Sequence, residues 1–127
     1  MHEKNLYEYA VIRVVPRVER EEFLNVGIVL FCKKAKFIKV LHNLNFEKVV
    51  SLSVEADVEQ IQLNLSAFEK VAHGTKDGGP IATMDIPSRF RWLTALRSSV
   101  IQTSRPHSGL CDDLEKTTQR LFEEYVL

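Results

Sequence analysis

Tyr7-Glu8-Tyr9-Ala10-Val11-Ile12-Arg13-Val14-Val15-Pro16, a charged connector, and then Asn25-Val26-Gly27-Ile28-Val29-Leu30-Phe31: on these two β-rich runs the fold turns. Separated by a short polar stretch, they read as an antiparallel pair. In the first run Tyr7, Tyr9, Val11, Arg13 and Val15 share one face, and Glu8, Ala10, Ile12 and Val14 share the other. Both faces are apolar over residues 10–15, so the run reads as a central strand covered on two sides. Pro16 has no N–H to give and ends the ladder. Gly27 inside an apolar run signals a bulge or a close backbone approach. No second glycine stands near it to build a phosphate-cradling loop. Arg13 breaks its face and reads as paired with a carboxylate or snorkelling, with a ligand contact as the alternative.

Outward from this pair, Lys33-Lys34-Ala35-Lys36 is a basic turn and residues 37–41 form a third strand, completing a meander. Residues 44–52 hold one helical turn built on Phe46, Val49 and Val50. Ser53 then reads as the N-cap of a long helix. Its stripe is Val54, Val58, Ile61, Leu65, Phe68 and Ala72, its acids sit near the start, and Gly74 is its left-handed C-cap. The glycine-rich residues 73–85 read as a mobile loop and lack the order of a nucleotide P-loop. Asp85 caps a short helix with Pro87 in its first turn, Phe90, Leu93 and Leu96 inward, and Trp92 at the rim. Residues 98–103 read as a fourth strand, residues 104–111 as a loop. Asp112 or Asp113 caps a last helix whose stripe is Leu114, Thr118, Leu121 and Tyr125, with Phe122 beside them, and Asp112 with Glu115 makes an acidic capping box.

The fold class expected is therefore α+β: a single domain over residues 1–127, with an antiparallel sheet of about four strands packed by two main helices on one face. The chain has 127 residues, 45% hydrophobic and 27% charged, with no net charge. Such a composition describes an ordinary folded domain without a long-range pull on nucleic acid or anionic lipid. Cys32 and Cys111 form no C-x-x-C pair, the first residues carry charge and no apolar core of a signal peptide, and no run is long enough to span a membrane. A reducing, cytoplasmic setting with two free thiols is expected.

One segment has a one-sided chemistry. Between Asp85 and Asp112 there is no acid, while Arg89, Arg91, Arg97 and Arg105 bring four positive charges, with His107 and the donors Ser98, Ser99, Gln102, Thr103, Ser104 and Ser108 among them. Planar guanidinium forks suit bidentate capture of phosphate or carboxylate. The structural alternative pairs these arginines with the five acids of residues 112–127. His107, Cys111 and Asp112 invite a metal or thiol reading. Two ligands do not make a zinc site, and the paired acids oppose activation of Cys111. His2, His42 and His73 read as surface or cap residues. No triad order, nucleophile elbow or nucleic-acid signature is present.

The strings Tyr7 to Pro16 and Glu22 to Leu30, with Arg91-Trp92-Leu93-Thr94-Ala95-Leu96-Arg97-Ser98-Ser99-Val100-Ile101-Gln102 and His107-Ser108-Gly109-Leu110-Cys111-Asp112-Asp113, resemble a bacterial family of small proteins catalogued as domain of unknown function 3037. The similarity covers nearly the whole chain. The family has no established activity. Its members look like companions of HipA-like kinases encoded beside them, which implies an accessory role. Its motif points to Arg13, Asn25, Gly27, Arg97, Ser98, Gln102, His107, Gly109 and Asp112. Leu96 and Leu114 depart from it, since many relatives have proline there.

Three functional expectations follow. The first is a non-catalytic accessory module that binds a partner protein such as a HipA-like kinase, without cofactor, metal or membrane. The second is a binder of phosphate-bearing ligand or nucleic acid through Arg97, Ser98, Gln102, Arg105 and His107. The third is an enzyme centred on His107 with Cys111 or Asp112.

Overall fold

The computed structural model describes residues 4–97 and 99–127. Its centre is a five-stranded antiparallel sheet: β1 (Asn5–Val14), β2 (Leu24–Cys32), β3 (Phe37–His42), β4 (Ile101–Thr103) and β5 (His107–Cys111). β1 pairs with β2 on one side and with both β4 and β5 on the other, and β3 pairs with β2. The meander and the central position of the first strand are as the sequence predicts. The fifth strand is a correction, because residues 107–111 form a strand against β1 rather than part of a loop.

The two-sided burial of β1 has a direct consequence. Ala10, Ile12 and Val14 point into one core with Val26, Val29 and Phe31 of β2, closed by α1 (Phe46–Leu52), α2 (Val58–His73) and α3 (Ile86–Leu93). Tyr7 and Val11 point into a second core with Ile28, Leu30 and Cys32, closed by Leu114 and Leu121 of α4 (Leu114–Tyr125). The helices therefore lie on both faces, not on one. A strand apolar on both sides needs both covered, and α4 supplies the second cover.

The caps decide where each helix starts. Asp57 caps α2 through Gln60 N, whereas Ser53 closes the end of α1. Gly74 ends α2 at φ 66°, as read from the sequence. Asp85 caps α3 through Ser88 N, and Asp113 caps α4 through Lys116 N, so the Asp112–Glu115 box does not form. Leu96 lies past the Thr94 C-cap of α3 and is fully exposed instead of packed. Residues 73–85 are ordered by two short 3-10 turns, with Lys70 and Asp77 paired at 2.8 Å.

Both sheet edges are managed. On β3, Val40 N donates outward to Nε2 of His73 at 3.2 Å. On the other edge the strand is broken between β4 and β5. Thr103 faces Ile12 and His107 faces Tyr9, so residues 104–106 stand opposite only Ala10 and Val11, a β-bulge. Ser104 repairs the ladder there: its Oγ accepts from Val11 N at 2.9 Å and its backbone N donates to Val11 O at 2.9 Å. A second bulge, at Val26 between Gly27 and Asn25, flanks the same part of β1 from β2.

Candidate functional site

The two bulges add local twist where β1 ends, and that end carries Arg13. Arg13 faces Gln102 across the β1–β4 ladder, and both line a cleft of about 570 Å³ together with Val15, Glu21, Phe23, Leu96 and Arg97. Four separate segments meet here: the end of β1, the turn before β2, the α3–β4 connection, and β4. Arg97 and Gln102 also line a neighbouring cavity of about 340 Å³ under Trp92 and Phe68, so they form the wall between the two.

Each guanidinium is held by a ring rather than by a carboxylate. Arg13 lies over Phe23, 4.2 Å from the ring centroid. Arg97 lies over Trp92 at 4.3 Å and donates to the Trp92 carbonyl oxygen. Stacking orients a guanidinium and leaves its charge uncancelled. Arg13 Nε is buried with no hydrogen-bond partner among the described residues. Gln102 donates to Ser99 O at 2.8 Å, which leaves its side-chain oxygen available to the cleft. Glu21, on the rim, holds φ 57°, a left-handed conformation uncommon for a residue with a Cβ. A cleft of this build can take an anionic group next to an apolar one, with Leu96 and Phe23 as the apolar wall.

The remaining arginines of the acid-free segment have other tasks. Arg91 donates through Nη1 and Nη2 to the two oxygens of Glu8, at 2.9 and 2.6 Å, and this hydrogen-bonded pairing raises its pKa further. Arg89 donates to Ala82 O at 3.3 Å and packs beside Gly74. Arg105 is exposed; its backbone oxygen accepts from Ser104 Oγ at 3.1 Å, and its guanidinium has no partner among the described residues. None of the four pairs with α4. Its acid Glu115 pairs with Lys39 at 2.5 Å and Glu124 with Arg120 at 3.4 Å.

The other residues singled out in the sequence do not join the cleft. Asn25 donates through Nδ2 to Tyr125 O at 3.2 Å, satisfying a carbonyl in the last turn of α4, which is a structural role. Gly109 lies under the ring of Tyr7, where a Cβ would come within 2.5 Å of Tyr7 Cζ. Gly27 passes Leu41 closely, with a Cβ there 2.6 Å from Leu41 O, so the close-approach reading of this glycine is correct. His107 packs against Tyr9, the rings tilted by 37° with centroids 5.5 Å apart. His107 and Cys111 stand at opposite ends of β5, about 13 Å apart at strand spacing, so they do not share a site. Asp112 follows that strand and its backbone oxygen accepts from Asn5 Nδ2 at 3.4 Å. Ser98 lies outside the described residues. No group of three or more potential metal-ligating side chains occurs among the described residues. No helix among them is long and apolar enough to cross a membrane.

Phe23 and Trp92, whose rings hold the two guanidiniums, were not read as site residues. Neither pairing has a local signal, since Phe23 stands ten residues from Arg13 and Trp92 lies within α3, five residues before Arg97. Along the same face, Tyr9 OH lies 3.3 Å from Tyr125 OH. Burial, and then this hydrogen bond, push the Tyr9 phenol up to about 12.

Fold and cleft together define a small α+β protein, a single antiparallel sheet between helices with two ring-stacked arginines at one edge. The chain belongs to the family described as "Protein of unknown function (DUF3037)", whose model matches residues 9–126. No curated protein and no solved structure matches it.

Proposed function

We propose that this protein is a non-catalytic cytoplasmic module that binds a partner protein, gripping an anionic group of that partner in the cleft around Arg13, Arg97 and Gln102. One observation carries this reading: Arg97 and Arg13 are oriented by Trp92 and Phe23, and among the described residues neither forms an ion pair with a carboxylate. Two preset forks beside the exposed Leu96 favour a carboxylate or phosphate next to an apolar side chain. A HipA-like kinase, implied by the family resemblance, is the first partner to test. Co-expressed with it, the chain elutes as one complex at micromolar concentration, and an R13M/R97M variant elutes alone. Separate elution of the wild-type proteins removes that partner, and an unchanged complex with R13M/R97M removes the cleft.

A second reading, a free phosphate-bearing ligand or nucleic acid bound through residues 89–107, draws on the same acid-free segment. Arg91 is committed to Glu8 and Arg89 to Ala82, which leaves Arg97 and Arg105 outward and weakens a multi-phosphate contact. Titration of a nucleotide and a short nucleic acid at low and high salt tests it, since phosphate contacts weaken as salt rises. No binding at low salt ends that reading.

A further inference from the structure

We infer that the groove between α1 and α2 docks a basic amphipathic helix of a partner protein. The groove has a volume of about 490 Å³ and is lined by Phe46, Val58, Glu59, Gln62 and Leu63. Phe46 and Leu63 are 57% and 63% exposed, and Val50, one turn on from Phe46, is exposed with them. Leu63 projects from α2 on the side away from Ile61, Leu65 and Ala72, whereas Val58 also packs against the core, so the groove floor joins the core and its outer wall stands clear of it. Clustered large apolar side chains on a small surface mark a contact site.

The kind of partner follows from the walls and the rim. Both walls are helices, and at their first turns Asn45 and Asp57 cap Lys48 N and Gln60 N, so the groove has no open strand edge for an extended peptide to pair with. An occupant must satisfy its own backbone while presenting apolar side chains, and that is a helix with anchors at i, i+3, i+4 and i+7. The charge is set by Glu59 in the groove lining and by the acidic sequence around it. Residues 46–63 hold Glu47, Glu55, Asp57 and Glu59 against Lys48 alone, and Glu47, Glu55 and Glu59 have no cation partner among the described residues. A cationic flank on the incoming helix complements them. A second copy packed patch to patch would bring the same acids face to face, and an anionic membrane would be repelled. The site shares no residue with the arginine cleft and stands without it.

A fluorescently labelled Leu/Lys peptide, with leucines at the helical spacing above, is the probe, and anisotropy reads its binding to the full chain. Wild type binds it and does not bind the Leu/Glu counterpart. L63E weakens binding by about tenfold or more, as loss of an apolar anchor does. E55K/E59K, which alters only exposed charge, weakens the Leu/Lys peptide and admits the Leu/Glu one. R13M/R97M binds as wild type does, which separates this site from the cleft. Equal binding of the two peptides, indifference to both variants, or equal binding of a proline-interrupted Leu/Lys peptide overturns the inference. So does a concentration-dependent dimer of the free chain that L63E abolishes.

Discussion

Arg91 of α3 holds both carboxylate oxygens of Glu8 on β1, at 2.9 and 2.6 Å, and so ties a helix to the central strand across 83 residues of sequence. The arginine also lies over Phe90 and Phe31, 5.4 and 6.0 Å from their centroids. Its side chain is 58% exposed, so solvent screens much of the attraction and the pair sits near the upper end of what surface ion pairs contribute, about 1 kcal/mol or less. A double-mutant cycle with Glu8→Gln and Arg91→Met, followed by urea unfolding, measures the coupling. Coupling near zero would show that the geometry is held by packing alone.

Ser104 carries more weight for its size. It is buried, and Val11 N on the central strand has only its hydroxyl to donate to. Ser104→Ala leaves that N–H unsatisfied in the core, at a cost of about 1–3 kcal/mol, while Ser104→Thr keeps the acceptor. Urea unfolding of the two variants, with hydrogen exchange at Val11, checks this. An alanine variant as stable as wild type, with Val11 still protected, would mean that the bulge closes without the hydroxyl.

Gly109 and Tyr7 are cross-strand partners, and the phenol ring occupies the space that any side chain at 109 would need. Tyr7 is buried against α4 residues and has little freedom to move. Gly109→Ala therefore costs about 1–3 kcal/mol by overpacking. In a Tyr7→Leu background the same substitution costs less, because the obstructing ring is gone. Strict additivity of the two changes in chemical denaturation would disprove the steric account.

These relationships differ in how far the sequence discloses them. The two apolar faces of residues 10–15 announce a central strand, and the Gly74 and Asp85 caps are legible because each depends on neighbours within a few residues. The placement of α4 was not legible in the same way: its stripe says that one side is buried and not which sheet face receives it. The apolar outer row Tyr7, Tyr9 and Val11 was the available hint. His-Ser-Gly-Leu-Cys at 107–111 carries little strand propensity, and it is a strand because β1 offers a free ladder and Tyr7 needs a glycine beneath it. Within the cleft, the absence of acids between Asp85 and Asp112 revealed Arg97 and Gln102. Arg13 joins them only through a pairing 89 residues long, which periodicity does not encode. The same charge count overstated the cluster, since the Arg91–Glu8 pair and the Arg89–Ala82 hydrogen bond are long-range or loop contacts with no local signature.

Tyr9 gives the alkaline limit of the fold. Burial and the hydroxyl contact with Tyr125 both favour the neutral phenol, and they raise its pKa from the ordinary 10.0 to about 12. The unfolded chain releases this proton near pH 10 while the folded chain keeps it until about pH 12. The stabilisation is therefore whole below pH 10 and is lost as pH rises from about 10 to about 12. Ultraviolet titration of the phenolates resolves one of the three tyrosines with a late midpoint near 12, and Tyr125→Phe moves that midpoint downward. Burial is the larger cause, so the shift in Tyr125→Phe is partial rather than complete. If every tyrosine titrated together near 10, the Tyr9–Tyr125 contact would not exist in solution and the end of α4 would not rest against β1.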